Sequence, residues 1–211
     1  MGQYWSAVLL DDENGMFKVI RPFSYKCGSK LKEHAYLSNP CCRAVMQELA
    51  DGPKRVAWIG DYSNYILGDE YEKKLDWSEF MEWFNAAWDH EKAKEGKRRS
   101  MVIAPMVSTN MAYPLVYLVN HTAKQYINLN DFRKKNTFDT GAEYGHHKLC
   151  YHPLPILTAC GNGRGGGDIQ SEYAGKWAFD EIEVMAGVNA TRTALEKIFN
   201  YEEFLPIIKG W

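Results

Sequence analysis

The most distinctive stretch of the 211-residue chain is a glycine-rich run that follows Cys160, in which five of the seven positions 161–167 are glycine. Glycine loses more conformational entropy on ordering than any other residue, so many glycines together indicate either an unconstrained surface loop or a backbone that must approach another group closely. Consecutive glycine N–H groups can converge on an anion, and the Arg164 guanidinium can add a bidentate contact. The run therefore predicts a cradle for a phosphate or similar anion, with a structural loop and a partner-binding loop as the alternatives.

The predicted ligand-binding residues are the eight consecutive positions Gly161, Asn162, Gly163, Arg164, Gly165, Gly166, Gly167 and Asp168. Formally the run matches G-x-G-x-x-G, but the dinucleotide fingerprint also requires a preceding strand, a following helix and a further strand that carries an acid. Pro153 and Pro155 interrupt the stretch before the run, and Gly175 follows soon after it. The match therefore does not indicate a Rossmann fold, and the absence of Gly-Lys-Ser/Thr excludes a Walker loop.

A few polar residues elsewhere are candidates for acid–base catalysis. Asp61 and His121 each follow a predicted strand, where a rigid scaffold can project a functional side chain, and Asp168 closes the glycine-rich run. Histidine titrates closest to neutral pH, which adds His34 to the candidates. No G-x-S-x-G sequence occurs, and no spacing links these residues into a triad. Turn formation is the competing explanation for Asp61 and His121.

Imidazole and thiol side chains are concentrated between His146 and His152. If this segment is a strand, His146, Cys150 and His152 share one face, and such ligands suit zinc. Lys148 would lie on the same face and repel a cation, and the spacing fits no established zinc motif. The sequence therefore predicts no metal and no cofactor, and these three residues are the candidates if a metal is held.

The composition narrows the class of protein that carries these residues. The formal net charge is −2, which creates no basic field, and the basic clusters 97–99 and 133–135 are short, so we do not expect nucleic acid as a partner. No apolar run approaches the roughly 20 residues of a membrane span, and no signal peptide opens the chain. Five cysteines without a regular framework then favour a reducing, cytoplasmic location.

The strands that must position these residues are predicted from alternation and turn signals. Two hairpins are expected, one over 4–22 around Asn14-Gly15 and one over 115–129. Further strands are predicted at 55–60, 101–104 and 177–184, an irregular or edge strand at 147–158, and a long polar loop at 132–145. Because regular helices do not separate the strands, we expect an α+β fold with a mainly antiparallel twisted sheet. The chain is predicted to form a single domain over 1–211, with a hinge or loop insertion at 94–100.

About three helices are expected to pack on this sheet. Asn39 is placed to cap a helix over 40–50 that begins with proline, and Asp76 with Glu79 forms a D-x-x-E capping pattern before the next helix. A last helix is predicted over 190–199, capped by the preceding asparagine.

These patterns together favour a protein that binds a small anionic, nucleotide-like ligand through the glycine-rich run. A protein–protein interaction module, such as an inhibitor or accessory protein from a phage or mobile element, is the first alternative. Trp83, which falls off the apolar face of its predicted helix, and Trp211 favour that reading because Trp is enriched at interfaces. A phosphoester or nucleotide hydrolase or transferase using Asp61, His121 or Asp168 is the second. The expected partner is thus a small phosphorylated ligand or a protein, and catalysis is the less favoured function.

Overall fold

The computed structural model describes residues 2–11, 15–63, 74–88, 94–95, 116–141, 147–161, 168–187, 191–198 and 200–208. Nine strands form one mixed sheet: β1 (Trp5–Asp11), β2 (Met16–Ile20), β3 (Lys54–Gly60), β4 (Lys94–Glu95), β5 (Val116–Asn120), β6 (Gln125–Asn128), β9 (Ala159–Cys160), β10 (Glu181–Ala186) and β11 (Glu202–Glu203). A separate pair consists of β7 (Phe138–Asp139) and β8 (Lys148–Leu149). The helices are α1 (Leu31–His34), α2 (Pro40–Ala50), α3 (Trp77–Trp88), α4 (Leu129–Asn136) and α5 (Pro153–Leu157), with a 3-10 helix at Pro22–Tyr25 and a π-helical turn at Ala194–Ile198.

The sheet has an antiparallel centre with parallel additions. Strands β2, β1, β3, β10, β5 and β6 follow one another in antiparallel pairs, whereas β4 joins β2, β9 joins β3 and β11 joins β6 in parallel. Strand β3 has two partners along one side: β10 pairs with its first two residues, and β9 pairs with Trp58 and Ile59. The predicted α+β fold with a mainly antiparallel sheet is confirmed, and three of the described helices have eight or more residues.

Local sequence signals explain several element boundaries. The Asn39 side chain accepts a hydrogen bond from the Cys41 backbone N–H at 2.8 Å, and α2 then begins at proline, as predicted. The Asp76 carboxylate accepts from the Glu79 N–H at 2.9 Å, which confirms the cap of α3. Both predicted hairpins are present as β1–β2 and β5–β6.

Alternation along the central strands places buried side chains on both faces of the sheet. On one face Ala7, Leu9 and Trp58 join a large core that also includes residues of α1, α2 and α5. On the other face Val8 and Ile59 pack with the apolar side of α3. A third, smaller cluster lies on β5 and β6 and includes Tyr117, Tyr126 and Leu195. Apolar clusters thus cover both faces of the central strands. Clusters of polar side chains are therefore expected at the ends of these strands.

Two segments predicted as extended or irregular are helical. Residues 153–157 form α5, whose first turn tolerates both prolines because the early N–H groups of a helix need no intrahelical acceptor. Residues 129–136 form α4, which begins where the Asn128 side chain accepts hydrogen bonds from the Asn130 and Asp131 N–H groups at 2.9 and 3.2 Å. The cap that Asn128 provides therefore explains why this segment is a helix, although its polar composition suggested a loop.

The strand predicted over 177–184 is displaced, because β10 begins only at Glu181. The preceding aromatic residues form turns, in which the Asp180 N–H donates to the Trp177 carbonyl at 3.1 Å and Phe179 has a φ of +67°. Those turns bury both rings, Trp177 in the large core and Phe179 against α3. Ring burial rather than strand pairing therefore explains the apolar character of this segment.

Trp83 is buried in the cluster beneath α3, contrary to the interpretation that placed it off the apolar face. Its ring lies against Phe17 and Phe179, so it does not contribute to a partner surface. Trp77, which the pattern placed on the apolar face, is 52% exposed. The strand at 101–104 and Trp211 lie outside the described residues, and only Lys94 and Glu95 of the 94–100 segment are described. Of the helix predicted over 190–199, residues 191–198 are described and include the π-helical turn Ala194–Ile198. In the described part of the chain no helix has the length and apolar character needed to cross a membrane.

Candidate functional site

The glycine-rich run starts at the edge of the sheet where two parallel strands end together. Strands β3 and β9 pair Ile59 with Cys160, so Gly60 and Gly161 follow at corresponding positions. Trp5 pairs with Gly60 from the other side, which places the beginning of β1 at the same edge. In open α/β sheets, ligands bind in the crevice outside the carboxyl ends of parallel strands. The β3–β9 pair is a local version of that arrangement.

Gln3, just before β1, has a fully buried side chain at this edge. Neither the Nε2 nor the Oε1 atom of its carboxamide has a hydrogen-bond partner among the residues that the structure describes. Buried polar side-chain atoms are paired in the large majority of cases, so each exception requires an explanation. No sequence pattern marks this position, since a single glutamine near the start of a strand carries no local signal.

The two glycines beside Gln3 pack so closely that a Cβ atom at either position would displace a neighbouring side chain. A Cβ atom on Gly60 would lie 2.0 Å from the Gln3 Nε2 atom. A Cβ on Gly161 would lie 2.3 Å from the Trp5 indole and 2.8 Å from the Gln3 Nε2 atom. Gly161 is the one glycine of the run among the described residues, and it fits the reading that the backbone approaches another group closely; 162–167 lie outside them.

Asp168 anchors the far end of the run to the same strand. It is buried, and its Oδ1 atom accepts a hydrogen bond from the Trp5 Nε1–H at 2.9 Å. Burial lowers the pKa of Lys32 on α1, and the charge of the nearby Asp168 partly opposes that change. The first residue of the glycine-rich run, Gly161, thus lies beside Gln3 and Trp5, and its last residue, Asp168, bonds to Trp5 and lies near Lys32.

Asp61 lies at the same edge, immediately after β3. Its carboxylate accepts from the Tyr4 N–H and its own N–H donates to the Tyr4 carbonyl, both at 3.0 Å. Burial raises the pKa of Asp61, and the hydrogen bond from Tyr4 partly opposes that change. The Ser63 hydroxyl, also buried, donates to the Gly60 carbonyl at 2.7 Å. Asp61 and Ser63 thus fix the backbone that follows β3 at this edge.

His121 lies elsewhere, in the turn after β5, with β10 between that strand and β3. Its Nδ1 atom is 2.8 Å from the Tyr201 hydroxyl and its Nε2 atom 2.9 Å from the Glu183 carboxylate. Of the predicted acid–base residues, Asp61 bonds to Tyr4 and Asp168 bonds to Trp5, whereas His121 lies in a separate cluster. Tyr201 and Glu183 were not expected from the sequence, because they lie 80 and 62 residues away along the chain.

His34 is a buried structural histidine. Its Nδ1–H donates to the Gly28 carbonyl at 3.1 Å, and its Nε2 atom accepts from the Trp58 indole N–H at 3.1 Å. Both ring nitrogens are thus used by the neutral imidazole. Burial lowers the pKa of His34 to about 4, so it does not serve as a base that cycles near neutral pH.

The metal candidates separate into different surroundings. His152 caps α5 by accepting from the Leu154 N–H at 3.1 Å, and its other ring nitrogen lies 3.0 Å from the Met46 sulfur. The Cys150 thiol donates to the Tyr151 carbonyl at 3.4 Å, and burial raises its pKa to about 12. His146 lies outside the described residues. Within the described ranges, no group of three or more His, Cys, Asp or Glu residues is arranged to hold a metal ion.

Comparison of the chain with protein-family models, with curated proteins and with solved structures finds no match. The assignment of function therefore depends on the chain's own geometry. The fold and the edge beside Gln3 define an α+β protein with a candidate binding site at the ends of β3 and β9, next to the glycine-rich run.

Proposed function

We propose that this protein binds a small anionic, nucleotide-like ligand at the edge formed by Gln3, Gly60 and Gly161, with the glycine-rich run as the anion-binding segment. The observation that carries the proposal is the buried Gln3 carboxamide, which has no hydrogen-bond partner among the described residues. An unpaired buried polar group costs about 1–3 kcal/mol of stability. A ligand that pairs with the amide when it binds would remove that cost, which would account for a glutamine at this position.

The chemistry of the carboxamide suits the uncharged part of such a ligand. A glutamine side chain presents a donor and an acceptor side by side, which matches the edge of a nucleobase. In the proposed complex, Gln3 therefore contacts the base or an equivalent amide-like group. Because the carboxamide is fully buried, this contact requires the edge to open when the ligand binds.

The anionic part of the ligand is assigned to the glycine-rich run. Backbone N–H groups of Gly163, Gly165, Gly166 and Gly167 are available in the sequence to converge on a phosphate, and Arg164 adds charge. The run begins at Gly161, beside Gln3, and Asp168 fixes its end to Trp5. Lys32, near Asp168, contributes a second cation to the same region. Base and phosphate contacts would thus lie next to each other.

A cytoplasmic location is proposed with this function. All five cysteines, Cys27, Cys41, Cys42, Cys150 and Cys160, are free thiols, as a reducing compartment requires. A protein partner is the competing hypothesis, but the burial of Trp83 removes one of the two residues that favoured it.

Replacing Arg164 with alanine is expected to weaken binding of a nucleoside phosphate about ten- to hundredfold, because a charge-assisted hydrogen bond contributes about 1.5–3 kcal/mol. Isothermal titration calorimetry with a panel of nucleoside mono-, di- and triphosphates measures the affinities. Arg133→Ala on α4, which packs on β5 and β6, is the matched control and should bind like the wild type. Equal affinity of the Arg164 variant, or no binding of any member of the panel by the wild type, would refute the proposal.

A further inference from the structure

A second site, separate from the proposed ligand edge, lies where the turn after β5 meets the segment that carries β11. There His121 stands between a carboxylate and a phenol, with Glu183 at Nε2 and Tyr201 at Nδ1. A carboxylate only accepts hydrogen bonds, so Nε2 carries the proton shared with Glu183. In the neutral imidazole, Nδ1 is then the acceptor for the Tyr201 O–H. This is the order of orienting acid, base and hydroxyl nucleophile found in catalytic triads.

The imidazole is held in place by its backbone. The His121 N–H donates to the Glu181 carbonyl at 2.9 Å, and the Glu181 N–H donates to the Thr122 hydroxyl at 3.0 Å. The Asn120 side chain accepts from the Ala123 N–H at 2.8 Å and so closes the turn. A base fixed in this way needs little reorganisation to take a proton.

The Tyr201 backbone is also held by local contacts. The Tyr201 N–H donates to the Leu195 carbonyl at 2.9 Å, and the preceding Asn200 has a left-handed φ of +55°. The rings of His121 and Tyr201 meet edge to face with centroids 5.8 Å apart. Burial raises the pKa of Tyr201, and the charges of Glu181 and Glu183 raise it further. The phenol therefore stays protonated at neutral pH and needs a base to become a nucleophile.

We propose that Tyr201 is a nucleophilic hydroxyl, activated by His121 and Glu183, in a site for acyl transfer from uncharged or cationic esters. The Tyr201 oxygen bonds to the ester carbonyl carbon while its proton passes to His121 Nδ1. The ester C–O bond then breaks, and the departing alcohol oxygen takes that proton, which leaves an acyl-tyrosine. Water then attacks the acyl carbon and loses a proton to the same nitrogen. The bond between that carbon and the Tyr201 oxygen breaks, the tyrosine oxygen takes the proton back from His121, and the carboxylic acid is released.

The charges around the cluster set the class of substrate. Glu183 stabilises the imidazolium that forms during proton transfer, as the acid of a triad does. Glu181 and Glu183 both act electrostatically on Tyr201, so they disfavour an anionic substrate such as a phosphoester. The site is thus distinct in its chemistry from the proposed nucleotide edge, and neither proposal depends on the other.

The test is acylation of the full chain by p-nitrophenyl acetate, followed by peptide mass spectrometry. Tyr201 is expected to be acetylated at least tenfold faster than Tyr4, because a positioned general base typically contributes 10²–10⁴-fold. Tyr4 is 51% exposed and serves as the internal control for a reactive phenol on the surface. A labelling rate at Tyr201 no higher than at Tyr4 would overturn the proposal.

Three variants separate activation from folding. Tyr201→Phe should lose the label, His121→Phe should slow it at least tenfold, and Glu183→Gln should slow it while keeping an acceptor for Nε2–H. The anionic ester mono-p-nitrophenyl succinate should react more slowly at Tyr201 than the acetate. Unchanged labelling in His121→Phe, measured on protein with a wild-type denaturation midpoint, would show that the cluster is structural only. If that variant does not fold, the ratio of the Tyr201 rates in Glu183→Gln and wild type decides instead.

Discussion

Replacing Trp83 with alanine is expected to lower the free energy of unfolding by about 3–5 kcal/mol, the usual cost of removing a large buried ring. Trp83 has no exposed surface, and its ring meets Phe17 and Phe179 at centroid distances of 5.3 and 5.1 Å. The Arg55 guanidinium lies over the same ring, 5.6 Å from its centroid. Alanine removes all of these contacts and leaves a cavity between α3 and the sheet.

Urea denaturation at neutral pH measures this cost, and Trp77→Ala is the matched control on the same helix. Trp77 is 52% exposed, so its replacement should cost about 1 kcal/mol or less. A cost for Trp83→Ala no greater than that for Trp77→Ala would contradict the placement of α3.

Acidification is expected to destabilise the protein by about 4 kcal/mol between pH 7 and pH 5, from two histidines that contribute about 2 kcal/mol each. Burial lowers the pKa of His34 to about 4 and that of His152 to about 3, both from an ordinary value of 6.5. The unfolded chain therefore takes up these protons first as the pH falls. The stabilisation is fully present above pH 6.5 and is lost progressively as the pH falls towards the folded-state pKa values.

Chemical denaturation at pH 7 and pH 5 measures this loss, and a double variant isolates its source. His34→Gln supplies a donor for Gly28 and an acceptor for Trp58, and His152→Asn supplies a side-chain cap for α5. Neither replacement titrates in this range, so the double variant should lose about 4 kcal/mol less than the wild type. Equal stability of the wild type at the two pH values would contradict the neutral, buried state of the two rings.

The sequence predicted the elements that short-range chemistry decides. Asn39 followed by proline, and Asp76 followed by Glu79, define helix starts through contacts within three residues. The sequence did not predict the features that depend on burial in the tertiary structure. The buried face of α3 contains Phe80, Trp83 and Ala87, whereas Trp77 at its first position is exposed, so the face differs from the one that the spacing of the rings suggested. The turns before β10 likewise exist because they bury Trp177 and Phe179 in separate cores.

The candidate sites likewise include residues that the sequence indicates and residues that only the tertiary structure reveals. The glycine-rich run is visible in the sequence because its composition is unusual, and Gly161 does lie at a point of close backbone approach. Gln3 was missed because its distinguishing feature, a buried carboxamide that no described residue pairs with, depends on the tertiary contacts around β1, β3 and β9. His121 was singled out, but its partners come from β10 and the β11 segment, which no local spacing connects to it.

The most direct test of the proposed function is nucleotide titration of Gln3→Met, combined with its denaturation curve. Methionine is unbranched like glutamine and fills the same space without polar atoms, so the variant should be as stable as the wild type or more stable by about 1–3 kcal/mol. Its affinity for the nucleoside phosphate that the wild type binds best should fall at least tenfold. An unchanged affinity would contradict the account, because the Gln3 carboxamide would then make no contact with the ligand.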